Sequence, residues 1–225
     1  MIIAIDGPSA SGKSTLGRML ARALKLLYID TGSMYRAVAL ATIDAEIDPD
    51  DKEAVSALAD EIEIDLRGDP DSLSVLLNDR DVTAQIRTEK VTEMSSVVST
   101  IPGVRRAMVA RQRAIGKRGA VLNGRDIGTV VFPDADVKFF LTAGPEERAE
   151  RRYKEDQITS ASSATYTETL ADMIERDRRD SSRADSPLKV ADDAIVIDST
   201  GKSIDEVFQE MMKRINPRSS AEIRG

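Results

Sequence analysis

Gly7-Pro8-Ser9-Ala10-Ser11-Gly12-Lys13-Ser14-Thr15 matches the pattern G-x-x-x-x-G-K-[ST] without a mismatch. The apolar run Met1-Ile2-Ile3-Ala4-Ile5 precedes it, and Leu16, Met19, Leu20, Ala23 and Leu24 follow at helical spacing. Strand, loop and helix in that order are the setting in which such a loop binds phosphates. Its glycines let successive backbone N–H groups turn inward around an anion, with the positive end of a helix dipole behind them. In such a loop Lys13 brings a mobile charge to the outer phosphates of a nucleotide, and the Ser14 hydroxyl is a ligand for Mg²⁺. The competing reading, a Gly/Ser-rich turn with no ligand, does not account for the flanking strand and helix.

Four later apolar runs end in the same manner. Leu26-Leu27-Tyr28-Ile29 stops at Asp30-Thr31-Gly32, Ala120-Val121-Leu122-Asn123 at Gly124-Arg125-Asp126, Val137-Lys138-Phe139-Phe140-Leu141 at Thr142-Ala143-Gly144, and Ala194-Ile195-Val196-Ile197 at Asp198-Ser199-Thr200-Gly201. Short apolar strands alternating with helices predict an α/β fold, a parallel sheet covered on both faces. Ligands in such sheets bind beyond the carboxyl ends of the strands, where the phosphate loop, Asp30, Arg125 and Asp126 all fall. Residues 43–84 differ: they are acidic, with a helical stretch over 52–62 and strand-like pieces at 63–66, 74–77 and 78–82 around the turn Gly68-Asp69-Pro70-Asp71. They predict a small α+β insert. Helices are expected over 86–117, broken near Pro102-Gly103, and over 145–153, 166–181 and 203–215. The Ser/Thr/Ala-rich stretch 158–169 reads as a mobile loop, and 217–225 as a frayed tail.

Composition narrows the chemistry. The chain has 225 residues and neither Cys nor His. Disulfides, thiolate metal sites, Cys nucleophiles, His bases and Ser-His-Asp triads are therefore excluded. Phosphoryl transfer remains open, because it depends mainly on positioning and electrostatics. The net charge of −7 argues against non-specific nucleic-acid binding, while 32 Lys and Arg residues include several beside special turns. That combination suggests a small anionic ligand. The N-terminus does not resemble a signal peptide and no run approaches membrane-spanning length, so a soluble cytoplasmic protein without a membrane partner is expected.

Three further clusters point to an acceptor substrate. Asp30-Thr31-Gly32-Ser33-Met34-Tyr35-Arg36 places an acid at a strand end and an arginine on the next helix. Asn123-Gly124-Arg125-Asp126-Ile127-Gly128 places an adjacent Arg and Asp between two glycines. Arg176, Asp180 and Arg183 lie at i, i+4 and i+7 on a charged helix. Taken alone, that last trio could be an exposed ion-pair ladder of little energetic weight.

With these residues the chain resembles the bacterial cytidylate kinases, which belong to the nucleoside monophosphate kinases. The resemblance runs from residue 2 to about residue 211. It rests on the phosphate loop, 30–36, Ile86-Arg87-Thr88-Glu89, 124–133 and 175–188. Two departures are mild: many members have Lys-Gly-Thr where this chain has Lys13-Ser14-Thr15, and Ser where it has Thr31. The resemblance implies a three-layer P-loop kinase core over 1–42 and 85–217 with a short lid at about 153–169. It also implies a monophosphate-binding insert at 43–84 and a disordered tail at 218–225. The cofactors would be ATP and Mg²⁺, the substrates CMP and dCMP, the state monomeric. By the same resemblance, Gly7 to Thr15 and the lid arginines Arg148 and Arg152 would bind ATP. Arg36, Arg125 and Arg183 would hold the acceptor phosphate, Arg forks matching its oxygens. Asp126, Arg105 and Ser96 would read cytosine, Arg176 and Asp180 would meet the sugar, and Thr31 and Asp30 would lie near the transfer site. Lys13, Arg125, Arg183 and Asp30 would be the catalytic set, with Ser14 on the metal. Two alternatives stay open from the residues: a kinase for another small acceptor such as UMP or a shikimate-like metabolite, and a nucleotide-switched regulatory protein. The second lacks an Asn-Lys-x-Asp guanine-reading pattern.

Overall fold

A computed structural model describes residues 1–159 and 164–215. The chain begins with β1 (Ile2–Asp6), α1 (Lys13–Leu24), β2 (Leu27–Asp30) and α2 (Thr31–Asp44), followed by α3 (Lys52–Glu61), β3 (Ile64–Arg67), β4 (Ser74–Leu77) and β5 (Arg80–Asp81). A short 3-10 turn (Gln85–Arg87) leads into α4 (Glu89–Val98), α5 (Pro102–Gly116) and β6 (Ala120–Gly124). A π-helical turn (Ile127–Val131), β7 (Val137–Thr142), α6 (Pro145–Thr159), α7 (Tyr166–Ser182), β8 (Ile195–Asp198) and α8 (Ile204–Ile215) complete it.

The apolar runs form a parallel sheet in the order β2-β6-β1-β7-β8. Strand alternation sends Ile3 and Ile5 of β1 to one face, where they pack with Leu16 and Leu20 of α1 and with Val207 and Met211 of α8. Ala4 goes to the other face, with Met34 and Val38 of α2 and Val104 and Met108 of α5. Both faces are thus covered, which explains why the central strands read as unbroken apolar runs. The last strand is an edge and is less buried than its composition suggests: Val196 is 54% exposed.

The insert is a three-stranded antiparallel sheet, β3-β4-β5, joined to α3. Its inner residues Ile64, Leu66, Val75 and Leu77 belong to the same apolar cluster as α2, α4 and α5. It shares the core, and its residues 70–75 form a wall beside the sheet.

Two expectations need correction. On α1 the buried face runs through Leu16, Gly17, Leu20 and Ala21, whereas Ala23 is exposed. The expected loop over 158–169 is shorter. α6 extends to Thr159, and α7 starts at Tyr166 behind a capping box in which Thr165 and Glu168 bond reciprocally. Tyr153 and Tyr166 meet edge to face at 6.3 Å and tie the two helices together. Residues 160–163 of the expected lid, and the expected tail at 218–225, lie outside the described residues. Among the described residues no helix is long and apolar enough to cross a membrane.

Candidate active site

The carboxyl ends of β1, β2 and β6 open into one cavity of 1190 Å³. Its floor is the phosphate loop. Gly7 has φ +146°, and a Cβ there would overlap the Leu141 carbonyl oxygen, so only glycine lets β1 turn here. Gly12 has φ +91° and precedes α1, aiming the helix N-terminus at the cavity. Ser9, Ala10, Ser11, Gly12, Lys13, Ser14 and Thr15 line the cavity, while Gly7 and Pro8 form the backbone beneath. The Lys13 ammonium lies across the loop, donating to the Pro8 carbonyl and to Ser11 Oγ at 3.3 Å. Burial, and next the Arg125 charge, push its pKa well below the ordinary value.

Beside the loop stand two side-chain oxygens held by an amide. Asn123 Nδ2 donates to Ser14 Oγ at 3.2 Å and to Asp30 Oδ1 at 3.3 Å, and Asp30 Oδ1 also accepts from Gly32 N at 3.1 Å. Thr31 Oγ1 donates to the Asn123 carbonyl at 2.8 Å, fixing β2 against β6. Asn123 had been legible only as a strand residue. Among the described residues no group of three or more acidic, His or Cys side chains could cage a metal. A hydroxyl and a carboxylate at the phosphate loop suit Mg²⁺, which takes most of its ligands from phosphates and water.

The next wall is cationic. Arg36, Arg125, Arg176, Arg183 and Arg152 all line the cavity. Asp180 organises part of the set, accepting from Arg125 Nε at 2.8 Å and lying 3.4 Å from Arg183 Nη1. Burial works against the Asp180 charge, but Arg125, Arg176 and Arg183 outweigh it and hold its carboxyl below the usual range. Among the described residues Arg36 and Arg176 make no ion pair. Burial first, then Arg125 and Arg36, push Arg176 down to about 9; burial, opposed by Asp30 and reinforced by Arg152 and Arg125, also lowers Arg36. Nε of Arg36 and of Arg183 is buried without a hydrogen-bond partner. Positive charge thus exceeds negative charge in a partly closed space, the electrostatic condition for binding an anion.

The third wall carries Asp126 and Arg105, an ion pair buried to 6% and 2% side-chain exposure. Arg105 also donates to the Ser99 carbonyl at 3.2 Å and sits 5.5 Å from the Tyr35 ring centroid. One carboxylate oxygen of Asp126 takes Arg105, and among the described residues the other has no hydrogen-bond partner. Thr92, Ser95 and Ser99 add hydroxyls to this wall.

Besides Gly7 and Pro8, two predicted residues do not line the cavity. Ser96 is buried on α4 but turned away from the lining, where Ser95 and Ser99 appear instead. Arg148 lies beneath the phosphate loop: Nη1 donates to the Ser9 carbonyl at 3.2 Å, Nε to the Ala143 carbonyl at 2.9 Å, and it pairs with Asp177 at 2.7 Å. It braces the loop against α7, and Arg151 joins Arg152 in the lining. Asp180 and Arg176, expected at the sugar, both line the cavity, with the two Asp180 carboxylate oxygens facing Arg125 and Arg183.

Asp6, at the end of β1, was not singled out by the sequence. It is 4% exposed and accepts from Ile127 N at 2.9 Å and Gly128 N at 2.7 Å. Burial, opposed by those two bonds and by Lys13 and reinforced by Asp126, pushes its pKa from 3.8 up to about 6. The folded protein therefore binds this proton more tightly than the unfolded chain. The resulting stability is present in full below the unfolded pKa and is lost as pH rises through about 6. Asp6→Asn, which does not titrate, lacks this contribution. The stability of the unmodified protein relative to Asp6→Asn is expected to be greater at pH 4.5 than at pH 7.5, by about 2 kcal/mol. Urea denaturation at the two pH values measures it, and a pH-independent difference would contradict the assignment.

A family model described as cytidylate kinase matches residues 3–217. The chain belongs to the cytidylate kinase family. A cytidylate kinase of Geobacter sp. (strain M21) is 47% identical over 97% of this chain and 94% of its own length. One from Solibacter usitatus is 49% identical over 97% of this chain and 93% of its own. In the solved structures, an uncharacterized protein from Eubacterium ventriosum superposes with a TM-score of 0.54 at 12% identity, covering 96% of this chain and 98% of that one, a likeness of fold alone. Cytidylate kinase membership makes the chain a kinase.

Proposed function

We propose that this cytidylate kinase family member transfers the γ-phosphoryl group of ATP to CMP or dCMP, forming ADP and CDP or dCDP. One observation carries the reading: a single cavity joins the phosphate loop to unpaired arginines and to the buried Asp126–Arg105 pair. The loop and Lys13 bind the donor phosphates. Arg36, Arg125 and Arg183 bind the acceptor phosphate and offset the repulsion between two anions. Mg²⁺, held through Ser14 with Asp30 nearby, supplies charge neutralisation on the donor phosphates when bound. No general base is needed, because a monophosphate oxygen is already ionised near pH 7, its second pKa being about 6. The rate gain comes from alignment and charge stabilisation. On this reading the enzyme works as a cytoplasmic monomer, as the family resemblance implies.

The free oxygen of Asp126 suits the N4 amino group of cytosine and opposes the O4 carbonyl of uracil. Release of ADP should therefore be fast with CMP and dCMP, and slow with UMP, AMP and GMP. Equal rates with UMP would keep the kinase and remove the cytosine assignment. No turnover with any monophosphate would overturn the reading. Asp126→Asn can offer an N–H to O4, so the CMP:UMP ratio of kcat/KM is expected to fall about tenfold. An unchanged ratio in that variant would exclude Asp126 as the reader.

A further inference from the structure

The turn that follows β6 carries Arg125 and Asp126 and then winds at once into the π-helical turn Ile127–Val131. Asp126 N-caps that turn: its carbonyl accepts from Val130 N at 2.9 Å and Val131 N at 3.1 Å. The first N–H groups of a helical turn have no partner within it. Here they are those of Ile127 and Gly128, and both are bound by the Asp6 carboxylate, one oxygen each. Asp6 comes from a different strand, 121 residues away in the chain. The next residue along, Gly7, begins the phosphate loop and is packed against the Leu141 carbonyl. Gly128 is also closely fitted: a Cβ there would stand 3.4 Å from Asp6 Oδ2 and 3.1 Å from Lys138 Cδ.

We propose that Asp6 is a positioning residue for the acceptor site, clamping the turn that bears Arg125 and Asp126 at a fixed distance from the phosphate loop. The inference rests on the CMP kinase reading for the identity of the acceptor, though not for the clamp itself. A buried carboxylate is costly to keep, and among the described residues this one accepts hydrogen bonds from backbone amides alone. Without it two buried amides lose their acceptor and must turn toward other partners. They are adjacent to Asp126, so the base-reading carboxylate moves with them. The phosphate loop has its own supports in Gly7 against Leu141, Ser11 Oγ on the Pro8 carbonyl at 3.0 Å and Arg148 on the Ser9 carbonyl. Loss of Asp6 therefore acts on the acceptor more than on the donor.

The test is steady-state kinetics of Asp6→Ala and Asp6→Asn with CMP, UMP and ATP varied in turn. Asp6→Ala should raise the KM for CMP about tenfold or more, leave the KM for ATP within about twofold, and lower the CMP:UMP ratio of kcat/KM. Asp6→Asn keeps one acceptor oxygen and should show a smaller rise. A residue with a merely structural role would reduce active enzyme while leaving both KM values and the ratio in place, and that result overturns the proposal. So does an equal rise in both KM values. Amide hydrogen exchange on the unmodified protein tests the clamp without any variant: Ile127 and Gly128 should exchange as slowly as the strand amides of β6, and exchange at the rate of exposed loops overturns it. Absence of CMP turnover by the unmodified enzyme would strike the substrate reading, whereas an unmoved acceptor KM in an active variant would strike Asp6 alone.

Discussion

Lys13→Ala is expected to lower kcat about a thousandfold at saturating substrates while leaving the KM for CMP within about twofold. The ammonium sits over the loop, 6% exposed and bonded to the Pro8 carbonyl and Ser11 Oγ. On the proposed reading, it would reach from there to the phosphates whose charge shifts in the transition state. Its loss should not unmake the loop. The backbone path is set by Gly7 and Gly12, and Ser11 and Arg148 hold the carbonyls of Pro8 and Ser9. Burial and Arg125 press the Lys13 pKa down, so in the protein alone this is a poorly compensated cation. Removing it should leave the melting temperature unchanged or raised. Thermal melts beside the kinetics decide the matter: a large fall in Tm, with kcat falling in proportion to the folded fraction, would reduce Lys13 to a structural residue.

How much of this was legible before the fold was known depends on the range of each interaction. The phosphate loop is contiguous, and its geometry follows from Gly7, Gly12 and the helix behind them. The strands were legible because both sheet faces are covered, which leaves unbroken apolar runs. Asp30, Arg125 and Asp126 were found because the sheet rule sends strand ends to one edge. Asn123 and Asp6 were missed for the opposite reason. Each acts through partners more than a hundred residues away, Ser14 for one and Ile127 for the other, and β-sheet register decides those meetings. A polar residue closing a buried strand was the available signal in both cases.

Helical side chains failed differently. Arg148 and Arg152 are one helical turn apart and look equivalent in sequence, yet one braces the loop from beneath and the other lines the cavity. Ser95, Ser96 and Ser99 are likewise separated only by rotation about α4. Which of them faces the ligand depends on how each helix packs, and hydrophobic spacing locates that face only to within about a residue.

Arg125→Ala should lower kcat/KM for CMP by about a thousandfold, with the loss divided between a higher KM and a lower kcat. The guanidinium gives Nε to Asp180 at 2.8 Å and keeps its remaining N–H groups for the cavity, Nη1 sharing one with the Gly124 carbonyl at 3.4 Å. On the proposed reading, its position near Lys13 would let it meet both the acceptor phosphate and the charge developing between the two phosphates. Asp180 would not be orphaned by the change, because Arg183 and Arg176 remain beside it. Fold stability should accordingly be nearly unchanged. Arg105→Ala is the contrasting control: it leaves Asp126 buried without its partner, a defect expected to cost about 3–5 kcal/mol of stability. Arg125→Lys should recover only about a tenth of the lost rate, because an ammonium cannot engage Asp180 and a phosphate with separate edges of one plane. Steady-state kinetics and urea melts on the three variants separate these effects. A full recovery by lysine would mean that Arg125 contributes charge alone, and an unchanged kcat/KM in Arg125→Ala would remove it from the acceptor site.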